Sequence, residues 1–237
     1  SKPAKLVLGV PLALAIADYL HRVRPQVQVA IPVAPTLTLQ DLARYADPAL
    51  NSCVAAVRGC KAQLVEPTGE LPYFLTEGGA QVWLWTQVPA YEPLSQCRLC
   101  ITTVGANTAE LASLAIPMLV IIPTQQLDIM RAWDGIPGLL ANLPGLGAGF
   151  AALINTWVLK RGLGLRAWPN IWAGREIVPE WVGHLMPETV GDRVAALLDR
   201  PDQLAEMRGA LQQVRGEPGA AYRLAELVAA VLSDIPQ

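Results

Sequence analysis

Two short stretches of this sequence concentrate groups that can bind or polarise a substrate. The first is Pro169-Asn170-Ile171-Trp172-Ala173-Gly174-Arg175-Glu176-Ile177-Val178-Pro179-Glu180, which sets an amide, a guanidinium and two carboxylates in otherwise apolar sequence. An arginine beside a glycine can reach phosphate with a bidentate fork. Arg175 and Glu176 can equally pair with neighbours on a solvated surface. Glu180, behind Pro179, can open a helix and supply charge at its N-terminus. The second stretch is the turn Val104-Gly105-Ala106-Asn107-Thr108-Ala109-Glu110. Between a strand and a helix, such a turn offers free N–H groups that favour phosphate. Gly105 lets the backbone approach an anion closely, and Thr108 adds a hydroxyl. Glu110, one turn into the helix, either stabilises that first turn or accepts from sugar hydroxyls.

The rest of the chemical inventory is negative. The sequence has no Asp-x-Asp pair for a metal–diphosphate and no Gly-x-x-x-x-Gly-Lys-Ser/Thr loop, and Gly145-x-Gly147 lacks the remainder of a dinucleotide fingerprint. It has no Gly-x-Ser-x-Gly elbow, and two histidines in 237 residues leave little room for histidine-based catalysis. Of the four cysteines, Cys97-x-x-Cys100 has the spacing of half a zinc site or of a redox pair. Cys53 and Cys60 have the wrong spacing to complete it, and neither His21 nor His184 lies near a cysteine in sequence. Cys100 stands in an apolar run with Leu99 and Ile101, so the four thiols are expected as small buried hydrophobes in a reducing compartment.

These stretches need elements to hold them. Residues 99–103 read as a strand, 104–107 as a tight turn and 108–114 as a helix ended by Pro117, with a further strand over 118–122. Strand, helix and strand in this order predict a βαβ unit and hence a parallel sheet covered by helices, on whose C-terminal edge ligands bind. Upstream, a helix is expected from Pro11 through Leu12, Ile16, Ala17 and Leu20, a strand over 27–33, and a helix over 38–45 with Thr38 as N-cap. Residues 71–76 and 81–86 are strand candidates around Gly78-Gly79, in hairpin rather than parallel arrangement. Beyond Asn170 the pattern predicts helices only, over 187–198, 201–214 and 220–232. The fold class expected is α/β, Rossmann-like, with a helical C-terminal end. Residues 124–168 are rich in glycine and resist this scheme. An apolar helix over 150–159 either packs on the sheet or rests on a membrane surface, packing being the commoner use of such a pattern.

Composition narrows the function classes. Hydrophobic residues make up 52% and charged ones 16%, which excludes a disordered chain. A net charge of −2 supplies no field for nucleic acid. No apolar run reaches the roughly 18 residues of a spanning helix, and no signal peptide is expected. The chain opens on Ser1, in mid-pattern.

The Pro169–Glu180 stretch resembles the signature of the lipid-A-disaccharide synthase family. Gly105…Thr108…Glu110 followed by Ile116-Pro117-Met118-Leu119-Val120 is similar to a second motif of that family, and Ser1-Lys2 to the end of its Leu-Pro-Gly-Ser-Arg motif. Pro32-Val33-Ala34 and Gly216…Gly219-Ala220-Ala221 also match, so the resemblance covers nearly everything except 124–168. It implies one half of a GT-B fold, the C-terminal domain that binds a UDP-sugar donor. The acceptor domain, with the catalytic base, is then not in this chain. The implied reaction is an inverting, metal- and cofactor-independent transfer of 2,3-diacylglucosamine from UDP to lipid X. Ser1 and Lys2 would lie near the diphosphate, Gly105 and Thr108 would line its turn, and Glu110 would face ribose or sugar. Asn170, Arg175, Glu176 and Glu180 would complete the donor wall, converging with Glu110 in one cleft, and Glu180→Ala is expected to weaken UDP affinity without harming the fold. The implied partners are the UDP-sugar, a lipid or glycan acceptor, a membrane surface on the cytoplasmic side and a second copy in a homodimer. Lys2, Val104, Ala106 and Gly183 depart from the family pattern. Two other readings therefore stay open, a non-catalytic nucleotide-sugar-binding module and another GT-B enzyme such as a nucleotide-sugar epimerase.

Overall fold

The computed structural model describes residues 3–124, 164–217 and 219–233. Ser1, Lys2 and the helix expected over 150–159 lie outside the described residues.

The first helix, α1 (Pro3–Val23), starts eight residues before the expected Pro11, which sits inside it. An internal proline removes a hydrogen bond at a cost of about 3 kcal/mol. Packing on both sides of it outweighs that cost, since fully burying one leucine or valine stabilises by about 1.5–3 kcal/mol. Leu8, Leu12, Ile16 and Leu20 repeat every fourth residue and are all buried, and Val10, Leu14 and Ala17 form a second buried stripe. Counted through Pro11, the 19 residues Lys5–Val23 are long and apolar enough to cross a membrane by length and composition, and half of that window is buried inside the fold.

After α1 come β1 (Val29–Pro32), α2 (Leu39–Ala46), α3 (Cys53–Ala56), β2 (Ala62–Val65), β3 (Tyr73–Thr76) and β4 (Gln81–Trp85). Thr38 caps α2 as expected, its hydroxyl accepting from the Asp41 N–H at 3.0 Å. The strands form one sheet in the order β1-β4-β3-β2, with β1 parallel to β4 and the expected β3–β4 hairpin antiparallel. Short α4 (Tyr91–Ser95) leads to β5 (Cys100–Thr103), α5 (Ala106–Ser113) and β6 (Met118–Pro123), the expected βαβ unit. Past 163 come α6 (Trp168–Ala173) and β7 (Glu180–Gly183). The strand β7 corrects the expectation of helices only beyond Asn170. Trp181 and Val182 pair parallel to Ile121 and Ile122, and Glu180 opens this strand, not a helix. The second sheet is β5-β6-β7, parallel throughout.

Three helices finish the chain, each within a residue of its expected bounds: α7 (Pro187–Leu198), α8 (Pro201–Val214) and α9 (Ala220–Ser233). Prolines open α7 and α8, where a missing N–H costs nothing. Helix α1 belongs to both sheets. Its first stripe packs with Leu119 and Ile121 of β6 and with Val190 and Val194 of α7. Its second packs with Phe74, Val82 and Leu84 of the mixed sheet. A third core joins α5, β6 and α8 through Leu111, Ile116, Met118 and Leu211. Gly191 of α7 leaves no room for a Cβ against the Tyr19 ring, and the Tyr19 hydroxyl donates to Asp192.

Candidate functional site

The parallel strand β5 ends at Thr103, and the chain turns through Val104 and Gly105 into α5. Gly105 caps this helix with φ +144°, a conformation that side-chain-bearing residues rarely adopt. The first turn of α5 is open to solvent at Ala106 and Asn107. Lys5, near the start of α1, reaches the same turn. Its ammonium donates to the Val104 carbonyl at 3.0 Å and would lie 3.3 Å from a Cβ placed on Gly105. One exposed cation thus stands beside the first turn of α5 and within the first turn of α1, where helix N–H groups lack partners within their own helices. Lys5 was not singled out from the sequence, because nothing in it brings α1 to a turn 99 residues away.

The Pro169–Glu180 stretch is built differently. The carboxylate of Glu180 accepts from the backbone N–H groups of Arg166, at 2.9 and 3.1 Å, and of Ala167, at 2.8 Å. It also accepts from the Asn170 amide at 2.8 Å. Asn170 is fully buried. Its Nδ2 also donates to the Val178 carbonyl at 2.8 Å, while its Oδ1 accepts from the N–H groups of Ile177 and Val178 at 2.7 and 2.9 Å. Between them these two side chains fasten the start of α6 to the strand that follows. Thr108 joins in from α5: its hydroxyl donates to the Gly105 carbonyl at 2.9 Å and accepts from the Trp168 N–H at 3.1 Å. The guanidinium of Arg166 lies 3.7 Å from Glu180. Burial lowers the Arg166 pKa from its ordinary value, and the Glu180 charge opposes that shift.

Asn170, Glu180 and Thr108 are therefore brought together, as braces whose polar atoms are already engaged. Arg175 and Glu176 stand exposed beyond Gly174, which ends α6 in the left-handed conformation with φ +65°. Glu110 is exposed and lies two positions, or about 200°, around α5 from the inward-facing Thr108. None of these three side chains makes a polar contact among the described residues. The expectation that Glu180→Ala spares the fold meets a physical objection, because three buried or half-buried N–H donors would lose their acceptor.

All four cysteines are free and half-buried. The Cys100 thiol hydrogen-bonds to Cys97, which lowers Cys97 to about 7 and raises Cys100. Among the described residues no group of three His, Cys, Asp or Glu side chains could hold a metal ion.

No family model matches this chain, and no curated protein matches it, so the resemblance to lipid-A-disaccharide synthases stands on the residues quoted above.

Proposed function

We propose that this chain is the donor-binding half of a GT-B glycosyltransferase related to lipid-A-disaccharide synthases, taking a UDP-activated, acylated glucosamine or a similar sugar. The reading rests on one observation above the others: Lys5 stands at the Val104–Gly105 turn, with the first turns of α1 and α5 at its side. A diphosphate seated there would meet one cation and two sets of helix N–H groups at the C-terminal edge of a parallel sheet. As the bond from the anomeric carbon to the diphosphate oxygen breaks, charge grows on that oxygen, and these fixed donors oppose it without reorganising. The acceptor hydroxyl would lose its proton to a base on the other half of the enzyme. Trp168 and Trp172, ring centroids 6.2 Å apart and each 45% exposed, offer apolar surface for acyl chains or for the membrane they come from.

The test is calorimetric titration with UDP and UDP-N-acetylglucosamine, on the wild-type chain and on Lys5→Ala. Saturable binding at about millimolar affinity (about −4 kcal/mol), weakened at least ten-fold by Lys5→Ala, supports the reading. Binding indifferent to Lys5 overturns it. The non-catalytic alternative draws on Val104 and Ala106, which put no hydroxyl beside Gly105. Donor binding without sugar transfer in the full-length polypeptide would favour it.

A further inference from the structure

The four thiols are half-buried rather than buried, and two of them meet. Helix α4 ends at Ser95, the chain turns at Gln96, and the Cys97 N–H donates to the Leu94 carbonyl at 3.0 Å. Cys100 opens β5, where its N–H donates to the Pro117 carbonyl at 2.9 Å and its backbone pairs with Met118. One cysteine is thus anchored by a helical turn and the other by the sheet. Both side chains pack against the core that joins α5, β6 and α8.

Between these anchors the thiol of Cys100 donates to the sulfur of Cys97. That bond draws Cys97 down to about 7 against the opposing effect of burial, and together with burial it raises Cys100. While protonated, Cys97 itself donates to the Pro93 carbonyl at 3.6 Å, a long contact that holds its proton weakly. Cys60 has the opposite surroundings: burial pushes it up to about 11, and the charge of Asp18 adds to the shift.

Sulfurs already in hydrogen-bond contact need to approach by only about 2 Å to reach disulfide length. The loop such a bond closes, Cys97-Arg98-Leu99-Cys100, is too short to restrain the unfolded chain much. It therefore suits a bond that opens and closes with the surrounding thiol pool better than a structural staple.

We propose that Cys97 and Cys100 form a reversible dithiol–disulfide couple that exchanges with small external disulfides of the glutathione type, Cys97 attacking and Cys100 resolving. Cys97 attacks because it is the less buried of the two and lies between exposed Gln96 and Arg98. Its thiolate bonds to one sulfur of the external disulfide, whose S–S bond breaks and releases one thiolate. Cys100 then gives its proton to that thiolate and attacks the Cys97 sulfur. The Cys97–Cys100 bond forms, the mixed bond breaks, and a second thiolate leaves, taking up the proton that Cys97 had lost to water. Two protein thiols are oxidised, and one external disulfide is reduced to two thiols. The inference stands on the thiol pair alone and holds whether or not the Val104–Gly105 turn binds UDP.

Equilibration of the 237-residue chain with oxidised and reduced glutathione, followed by acid quenching, blocking of free thiols and peptide mapping, tests it. Trypsin cuts the denatured chain after Arg98, between the two cysteines, so their disulfide leaves two peptides joined until reductant is added. The equilibrium constant for this disulfide against glutathione should be at least about ten-fold larger in the folded monomer than in urea. Cys100→Ser should stop the reaction at glutathione held on Cys97, and Cys97→Ser should leave Cys100 unmodified, each variant being checked for a cooperative melt. In the wild type, iodoacetamide at neutral pH should label Cys97 at least about ten-fold faster than Cys60, a readout that needs no variant. Equal constants in the folded and unfolded chains would overturn the couple. So would disulfides that join Cys97 or Cys100 to Cys53, to Cys60 or to a second chain instead. Glutathione carried by Cys100 in Cys97→Ser would overturn the assignment of attacking and resolving roles.

Discussion

Two stretches beside the parallel sheet use polar residues in opposite ways. Between α6 and β7, the stretch richest in amide and carboxylate groups spends them on itself: Asn170 and Glu180 are saturated by internal bonds. At the Val104–Gly105 turn the sequence is nearly bare of functional side chains, yet backbone donors and the Lys5 ammonium face solvent there. A dense motif can thus be scaffolding while the ligand-facing surface is made by backbone geometry.

The largest effect expected from breaking this contrast comes at Asn170. Asn170→Ala leaves two N–H groups and a carbonyl unpaired in the interior and should cost about 3–5 kcal/mol. For a chain of this size that lowers Tm by roughly 10 °C, readable by calorimetry; a shift under about 2 °C would return Asn170 to the candidates for ligand contact. Gly105→Ala should come next, at about 1–2 kcal/mol from the positive φ, and should reduce UDP affinity as well. Denaturant melts and titration together separate the two losses. Lys5→Ala should change stability by less than about 0.5 kcal/mol, since its side chain is exposed, while UDP binding falls about ten-fold. Parallel losses of stability and affinity would make Lys5 a brace like Asn170 and dissolve the contrast. The smallest effect belongs to Arg175→Ala, with stability unchanged within about 0.5 kcal/mol and UDP affinity lowered only a few-fold in the same titration. A loss equal to that of Lys5→Ala would show that the signature loop also reaches the ligand.

The periodic parts of the fold were legible in the sequence. Residues 99–122 declare strand, helix and strand, and the C-terminal helices are framed by Pro187, Pro201 and the Gly216–Gly219 turn. What escaped was set by tertiary packing. The start of α1 was hidden by Pro11, whose local cost is exceeded by burial of Leu8 and Val10. Strand β7 is four residues long and reads as a strand only because β6 offers it an edge. The Val104–Gly105 turn was legible because turn chemistry is local, whereas Thr108, expected to offer its hydroxyl to phosphate, is buried and holds Gly105 and Trp168 instead. The pairing of Lys5 with Val104 spans 99 residues and carries no local signal.

Helix α1 also has a consequence for biosynthesis. Its partners on α7, among them Asp192 for Tyr19, leave the ribosome 173 residues after it. At about 5–20 residues per second, this long apolar helix waits roughly 10–30 seconds for the α7 surface that completes the cover of its first stripe. During that interval it offers a target to chaperones and to membranes alike. Slowing translation between α1 and α7 should therefore lower soluble yield far more than slowing it afterwards.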